Sequence, residues 1–177
     1  EELSDQLHQA ILAANQAILD LRESLEGSNM GCTLTAVLVR GTTAVVANIG
    51  DSRTYVMHDG KLSQITRDHS MAAKMVEQNL MRPEEIYAFE QKSVIYRSLG
   101  DNSDLQIDSD VVELSIGDRI LLCSDGLWDM VRDTFIEDVM LEQYDPQPAS
   151  ERLVELANMA GGEDNITVIV VDVRSPD

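Results

Sequence analysis

Two short β-branched runs separated by only two residues constrain this chain more than any other feature. "CTLTAVLVR" (32–40) and "TAVVANIG" (43–50) flank Gly41-Thr42, a spacing that leaves room for a tight hairpin and nothing else. "RTYVM" (53–57) and "KLSQIT" (61–66) repeat the pattern around His58-Asp59-Gly60, where Asp-Gly supplies the positive φ that such a turn needs. Strands this closely spaced pair antiparallel, because a parallel pair requires a long crossover. Further strands are expected at "SVIYRSLG" (93–100), "LQIDSDVVEL" (105–114), "DRILLCSDG" (118–126) and "NITVIVVDV" (165–173). The last is apolar at almost every position, which predicts burial on both faces.

Helices bracket the strands. Leu3, Leu7, Ile11, Ala14, Ile18, Leu21 and Leu25 fall at spacings of three and four, a stripe that predicts a core-facing helix over 3–25. Asn15 and Gln16 are read as lying between stripe positions, and Gly27 as a stop. Residues 70–92 read as a small two-helix insertion, "MAAKMVEQNL" followed by "RPEEIYAFEQ" with Pro83 in a first turn. "TFIEDVMLEQ" (134–143) and "PASERLVELANMAGG" (148–162) complete the helices. At 177 residues, 44% of them hydrophobic, one soluble domain with a sizeable core is expected.

Charge narrows the partners. Thirty-two acidic residues against 13 basic give a net charge of -19. That excludes nucleic acid as a partner, since phosphate contacts need clustered Lys and Arg. No apolar run approaches the roughly 20 residues of a membrane helix. The two cysteines, Cys32 and Cys123, lie in strand-like runs and read as buried free thiols, which points to a reducing, cytoplasmic compartment.

The chemistry-bearing signal is a repeated layout, in which an apolar strand abuts an Asp flanked by Gly, Ser or Asn. It occurs at Asp51 ("ANIGDSR"), Asp125 ("LLCSDG") and Asp164 ("GGEDNITVIVV"). Any one of them is adequately explained as a turn residue. Three, on strands that turn out to be neighbours, would gather carboxylates that cannot all stay ionised without a cation. Oxygen donors without a Cys or His cluster point to Mg²⁺ or Mn²⁺ and not to zinc. Ser52 and Ser124 lack a nearby histidine in sequence, so a Ser-His-Asp nucleophile is unsupported. His8, His58 and His69 are too scattered for zinc. Arg53 reads as a partner of local acids, Trp128 as a packing anchor, and Met71, Met75 and Met81 as packing in the insertion.

"NIGDSRTYVMHDGKLSQITRDHS", "VIYRSLG", "GDRILLCSDGLWDMV" and "GGEDNITVIVVDV", with the weaker "MGCTLTAVLV", closely resemble the metal-dependent protein phosphatases of the phosphatase 2C family, over residues 31–174. The resemblance implies an α+β fold, an α-β-β-α sandwich of two antiparallel sheets flanked by helices, and a flap subdomain at about 70–92. It implies hydrolysis of phosphoserine and phosphothreonine in phosphorylated protein substrates, by water activated at a centre of two, possibly three, Mn²⁺ or Mg²⁺ ions. By matching motif, Asp125 and Asp164 become metal ligands, and Asp51 helps hold a third ion. Ser124, Gly126 and Asn165 support the site, and Asp68 and His69 are structural support near the flap. Nothing in residues 1–30 resembles the family's first strands, which carry a phosphate-binding arginine and a metal-bridging "DGxGG"-type aspartate. The chain is therefore expected to be an N-terminally incomplete catalytic domain, weakly active or inactive alone, with a sheet edge uncovered. The alternative is a catalytically dead phosphatase-like binding or regulatory module.

Overall fold

The computed structural model describes residues 2–25 and 30–175; the expected stop at Gly27 lies outside them. The first helix, α1 (Glu2–Ser24), is followed by strands β1 (Leu34–Arg40), β2 (Thr43–Ile49), β3 (Arg53–His58) and β4 (Lys61–Gln64). Both hairpins form where the turn residues demand. Arg40 pairs with Thr43 across Gly41-Thr42, and His58 pairs with Lys61 across Asp59-Gly60. Asp59 and Gly60 both take positive φ, 48° and 76°, the backbone twist that suits a two-residue hairpin. His58 is thus the last residue of a strand and not part of the turn.

The insertion follows, with α2 (Met71–Glu77) and a six-residue 3-10 helix (Pro83–Ala88). The second of the two expected helices is therefore only this tight turn, opened by Pro83 and by Glu85, whose carboxylate accepts the Arg82 main-chain N–H at 2.8 Å. Next come β5 (Asp108–Glu113), β6 (Arg119–Cys123), the one-turn α3 (Asp125–Trp128), α4 (Asp133–Glu142), α5 (Pro146–Met159) and β7 (Val168–Asp172). Helix α5 starts two residues before the expected Pro148, because Pro146 also fits a first helical turn.

The strands form two antiparallel sheets, β1-β2-β5 and β4-β3-β6-β7. Three apolar clusters mark the interfaces of four layers. Ile11 of α1 packs on Ala47 and Ile49, so the helix covers the outer face of the first sheet. Ala44, Val56, Leu114 and Ile120 fill the space between sheets. Tyr55, Met57, Leu121 and Cys123 meet Ile136, Met140 and Leu153 of α4 and α5. The result is the expected α-β-β-α sandwich.

Four expectations need correction. Asn15 lies in the buried stripe of α1, at 2% exposure, where its Oδ1 accepts the Gly100 N–H at 2.7 Å and its Nδ2 donates to Asn102 O at 2.9 Å. A polar residue holds that position because the 100–102 loop offers unpaired main-chain groups. Residues 93–100 form no strand. Two isolated bridges, Ile95 with Ser70 and Leu99 with Cys32, tie them down instead. Both cysteines are free, but only Cys123 is buried, since Cys32 precedes β1 at the surface. Finally, β7 is an edge strand. Ile169 and Val171 pair beside Leu122 and Ile120, on the face toward the sandwich interior. They are nevertheless 53% and 42% exposed, because β1, the outermost strand of the facing sheet, lies over β3 and β6. Among the described residues no strand pairs with the outer edge of β1 or β7.

Candidate metal centre

Sheet order converts three sequence-distant aspartates into one locus. β3, β6 and β7 are consecutive neighbours, with Arg53 opposite Cys123 and Cys123 opposite Val168. In an antiparallel sheet the start of β3, the end of β6 and the start of β7 lie at the same end. Asp51, Asp125 and Asp164 are the acids at those three strand ends.

Hydrogen bonds fix the two C-terminal loops against each other. Ser124 Oγ donates to Asn165 O at 3.1 Å and accepts the Thr167 N–H at 3.0 Å, while its own N–H donates to Thr167 O at 3.1 Å. Gly126 is required by this closeness, since a Cβ there would stand 2.4 Å from Asn165 O. The carboxylates also cap their own loops. Asp125 Oδ1 accepts the Gly126 N–H at 2.9 Å, and Asp164 Oδ1 accepts the Asn165 N–H at 2.6 Å. Asp51 is fixed from the other side, where the Trp128 indole N–H donates to its main-chain oxygen at 2.9 Å.

The electrostatics are those of an unneutralised acid group. Burial, and then the charge of Asp125, push the Asp51 carboxyl up to about 6. The Asp125 carboxyl is raised by burial, then by Asp164, with Asp129 adding to the effect. Asp125 is the common neighbour in this chain of repulsions. Among the described residues, no group of three or more His, Cys, Asp or Glu is gathered tightly enough to hold an ion. The three acids thus converge without forming a closed cage. All the donors they offer are carboxylate oxygens, the set suited to hard divalent cations.

Behind Asp51 stands a group of opposite character. Asp68 accepts from Arg53 Nε and Nη2, the shortest contact being 2.7 Å, with both side chains about 95% buried. The guanidinium lies 3.7 Å over the Trp128 ring and donates to Tyr55 Oη, which in turn donates to Asp133. His69 Nδ1 accepts the Gly50 N–H at 3.0 Å, so Nε2 carries the proton and faces Asp108 Oδ2 at 3.1 Å. Its pKa is lowered, chiefly by burial. Arg53 thus pairs with a local acid, as the sequence suggested.

A family model described as "Protein phosphatase 2C" matches residues 1–75. A Listeria welshimeri protein named "Serine/threonine phosphatase stp" is 34% identical over 173 residues, covering 97% of this chain and 69% of the relative. The chain belongs to the protein phosphatase 2C family. "Serine/threonine protein phosphatase PstP" of Mycobacterium tuberculosis is 40% identical over 97% of the chain, which spans only 33% of that relative's length. Its crystal structure superposes with a TM-score of 0.92 at 39% identity, covering 99% of this chain and 74% of that one. A second structure, of the catalytic domain of a serine threonine protein phosphatase also named PstP "in complex with 2 Manganese ions", gives a TM-score of 0.88 at 39% identity, covering 98% and 72%.

Sequence reasoning missed two residues that stand beside the aspartate cluster. Asp129 lies one turn beyond Asp125 on α3, with Oδ2 2.6 Å from Lys92 Nζ, and its buried Oδ1 has no hydrogen-bond partner. The i, i+4 spacing of two acids in "DGLWD" was the available signal. Lys92, at the end of the insertion, carried no signal, because its contact with α3 is purely tertiary. Nearby, Arg132 stacks at 3.4 Å over the Tyr87 ring, so the insertion is docked on α3–α4 by a cation–π contact and an ion pair. Met71, Met75 and Met81 are all at least partly exposed and take no place in the core clusters.

Proposed function

We propose that the parent protein removes phosphate from phosphoserine and phosphothreonine in cytoplasmic proteins, with Asp51, Asp125 and Asp164 holding Mn²⁺ or Mg²⁺. The observation that carries this reading is the convergence of three carboxylates at one end of β3–β6–β7, where burial and then a neighbouring acid raise the carboxyls of Asp51 and Asp125. A cluster of this kind is stable in its ionised form only when cations neutralise it. Such ions supply Lewis acidity toward a phosphoryl group and lower the pKa of water. The chain's own residues hold the ligands in place. Ser124 and Asn165 lock the Asp125 and Asp164 loops together, Gly126 permits their approach, and the Trp128 indole anchors the Asp51 main chain. The manganese complex of the PstP catalytic domain and the phosphatase names of the relatives agree with this reading. The described residues form one domain with a flap at about 70–92. We read the uncovered edges of β1 and β7 as the place of strands from the longer parent, and the open cage as the reason the 177-residue chain alone is weakly active or inactive. A dead module would have no physical reason to keep three mutually repelling aspartates.

The test is Asp125→Asn in the full-length protein, assayed for Mn²⁺-dependent hydrolysis of p-nitrophenyl phosphate. Loss of at least about a hundredfold is expected, since even outer partners of a metal ligand are worth tens. Retained activity would remove Asp125 from the ligand set.

A further inference from the structure

Gly50-Asp51-Ser52 is all that joins β2 to β3, and those strands belong to different sheets. Asp51 therefore stands in the middle of a short crossing whose main chain decides where its carboxylate points. Every peptide group along that crossing has a hydrogen-bond partner outside it. The Gly50 N–H donates to His69 Nδ1 at 3.0 Å. The Gly50 carbonyl accepts the His69 main-chain N–H at 2.8 Å and Asn48 Nδ2 at 3.1 Å. The Asp51 carbonyl accepts the Trp128 indole N–H at 2.9 Å. The planes before and after Asp51 are both held, which fixes its φ and ψ. Gly50 itself takes a φ of 100°, and a Cβ there would stand 2.3 Å from Thr33 Cγ2, so the bend belongs to glycine.

His69 supplies two of these bonds, and both end on the residue before Asp51. It is 2% exposed. Packing alone would be served by an apolar side chain, but such a residue would leave the buried Gly50 N–H unpaired. The far side of the ring is fixed as well. Nε2 faces Asp108 Oδ2 at 3.1 Å, and Arg97 Nη1, 3.0 Å from the same nitrogen, pairs with Asp108 Oδ1 at 2.7 Å. With the Nε2 proton directed at that carboxylate, Nδ1 keeps the lone pair that Gly50 needs. The His69 carbonyl accepts the Tyr96 N–H at 2.9 Å, so ring and main chain are both anchored beyond the crossing.

We propose that His69 is the positioning residue of Asp51, holding the Gly50-Asp51 peptide so that the Asp51 carboxylate meets the ion it shares with Asp125. The proposal rests on the reading of Asp51 as a metal ligand. It places His69 among the groups that orient a ligand without touching the metal, whose loss weakens metal binding by about 10–100-fold.

The experiment titrates Mn²⁺ calorimetrically into the full-length protein and three variants, with urea unfolding in EDTA as the check on folding. Asp51→Asn should weaken one class of sites and so mark the ion in question. His69→Phe, which keeps a ring and removes the Nδ1 acceptor, should weaken that same class by about tenfold or more and leave the other ions at wild-type affinity. His69→Asn, whose Oδ1 takes the place of Nδ1 but whose smaller side chain leaves a gap, should be less stable than wild type and yet restore the affinity. A packing role predicts the reverse order, with His69→Phe closer to wild type than His69→Asn. A wild-type isotherm for His69→Phe, or one for His69→Asn as weak as that of Asp51→Asn, overturns the positioning role. The second result decides even where His69→Phe does not fold. An Asp51→Asn isotherm identical to wild type would instead remove Asp51 from the ligand set and sink the reading on which the proposal rests.

Discussion

Two groups of aspartates lie within one residue stack of each other and obey opposite rules. Asp68 is buried with its cation, the Arg53 guanidinium, and satisfied by several hydrogen bonds. Among the described residues Asp51, Asp125 and Asp164 form no ion pair, and burial first, then a neighbouring acid, raises the carboxyls of Asp51 and Asp125. The same residue type is a structural pin in one place and an open demand for charge in the other. What separates them is whether the chain supplies the counter-charge. Where a fold gathers acids and withholds the cation, the cation comes from outside.

This contrast can be broken in order of size. Asp68→Ala should cost about 3–5 kcal/mol, because it leaves Arg53 buried and unpaired. Urea unfolding measures it, and a cost below about 1 kcal/mol would mean that Arg53 is neutralised elsewhere. Gly126→Ala should cost about 1–3 kcal/mol, since the new Cβ meets Asn165 O at 2.4 Å. It should also weaken Mn²⁺ uptake by separating the Asp125 and Asp164 loops. Wild-type Mn²⁺ affinity in that variant would show that the loops need not touch.

Metal-free protein gives the subtlest test. The Asp51 pKa is raised from 3.8 to about 6, so between those values the folded state binds more protons than the unfolded one. Stability must then fall as pH rises through that window, with the penalty complete above about 6. Asp51→Asn should flatten this part of the pH profile and leave the metal-free protein more stable at pH 7. Identical profiles would show that Asp51 is not electrostatically stressed. Asp68→Ala, by contrast, should destabilise on both sides of the window.

The fold was largely legible because hairpin turns, β-branched runs and the α1 stripe are local signals. Asp51, Asp125 and Asp164 were legible as residues, and the motif resemblance named them, but their meeting depended on the β3-β6-β7 order, which no local pattern encodes. Asn15, which reads as off the stripe, is in the core because a loop 85 residues away offers it hydrogen bonds. The apolar β7 misleads for a related reason. Its composition reports burial on both faces, while the described residues cover only one. Asp129 had only the faint signal of its i, i+4 spacing from Asp125, and Lys92 had none, because their contact joins the insertion to α3.

The central claim is that the three uncompensated carboxylates are a cation site. Calorimetric titration of Mn²⁺ into the full-length protein tests it most directly. We predict that wild type binds at least two ions and that Asp125→Asn, the common neighbour of the cluster, weakens binding by about a hundredfold or more while keeping its fold. Superimposable isotherms for the two proteins would contradict the account.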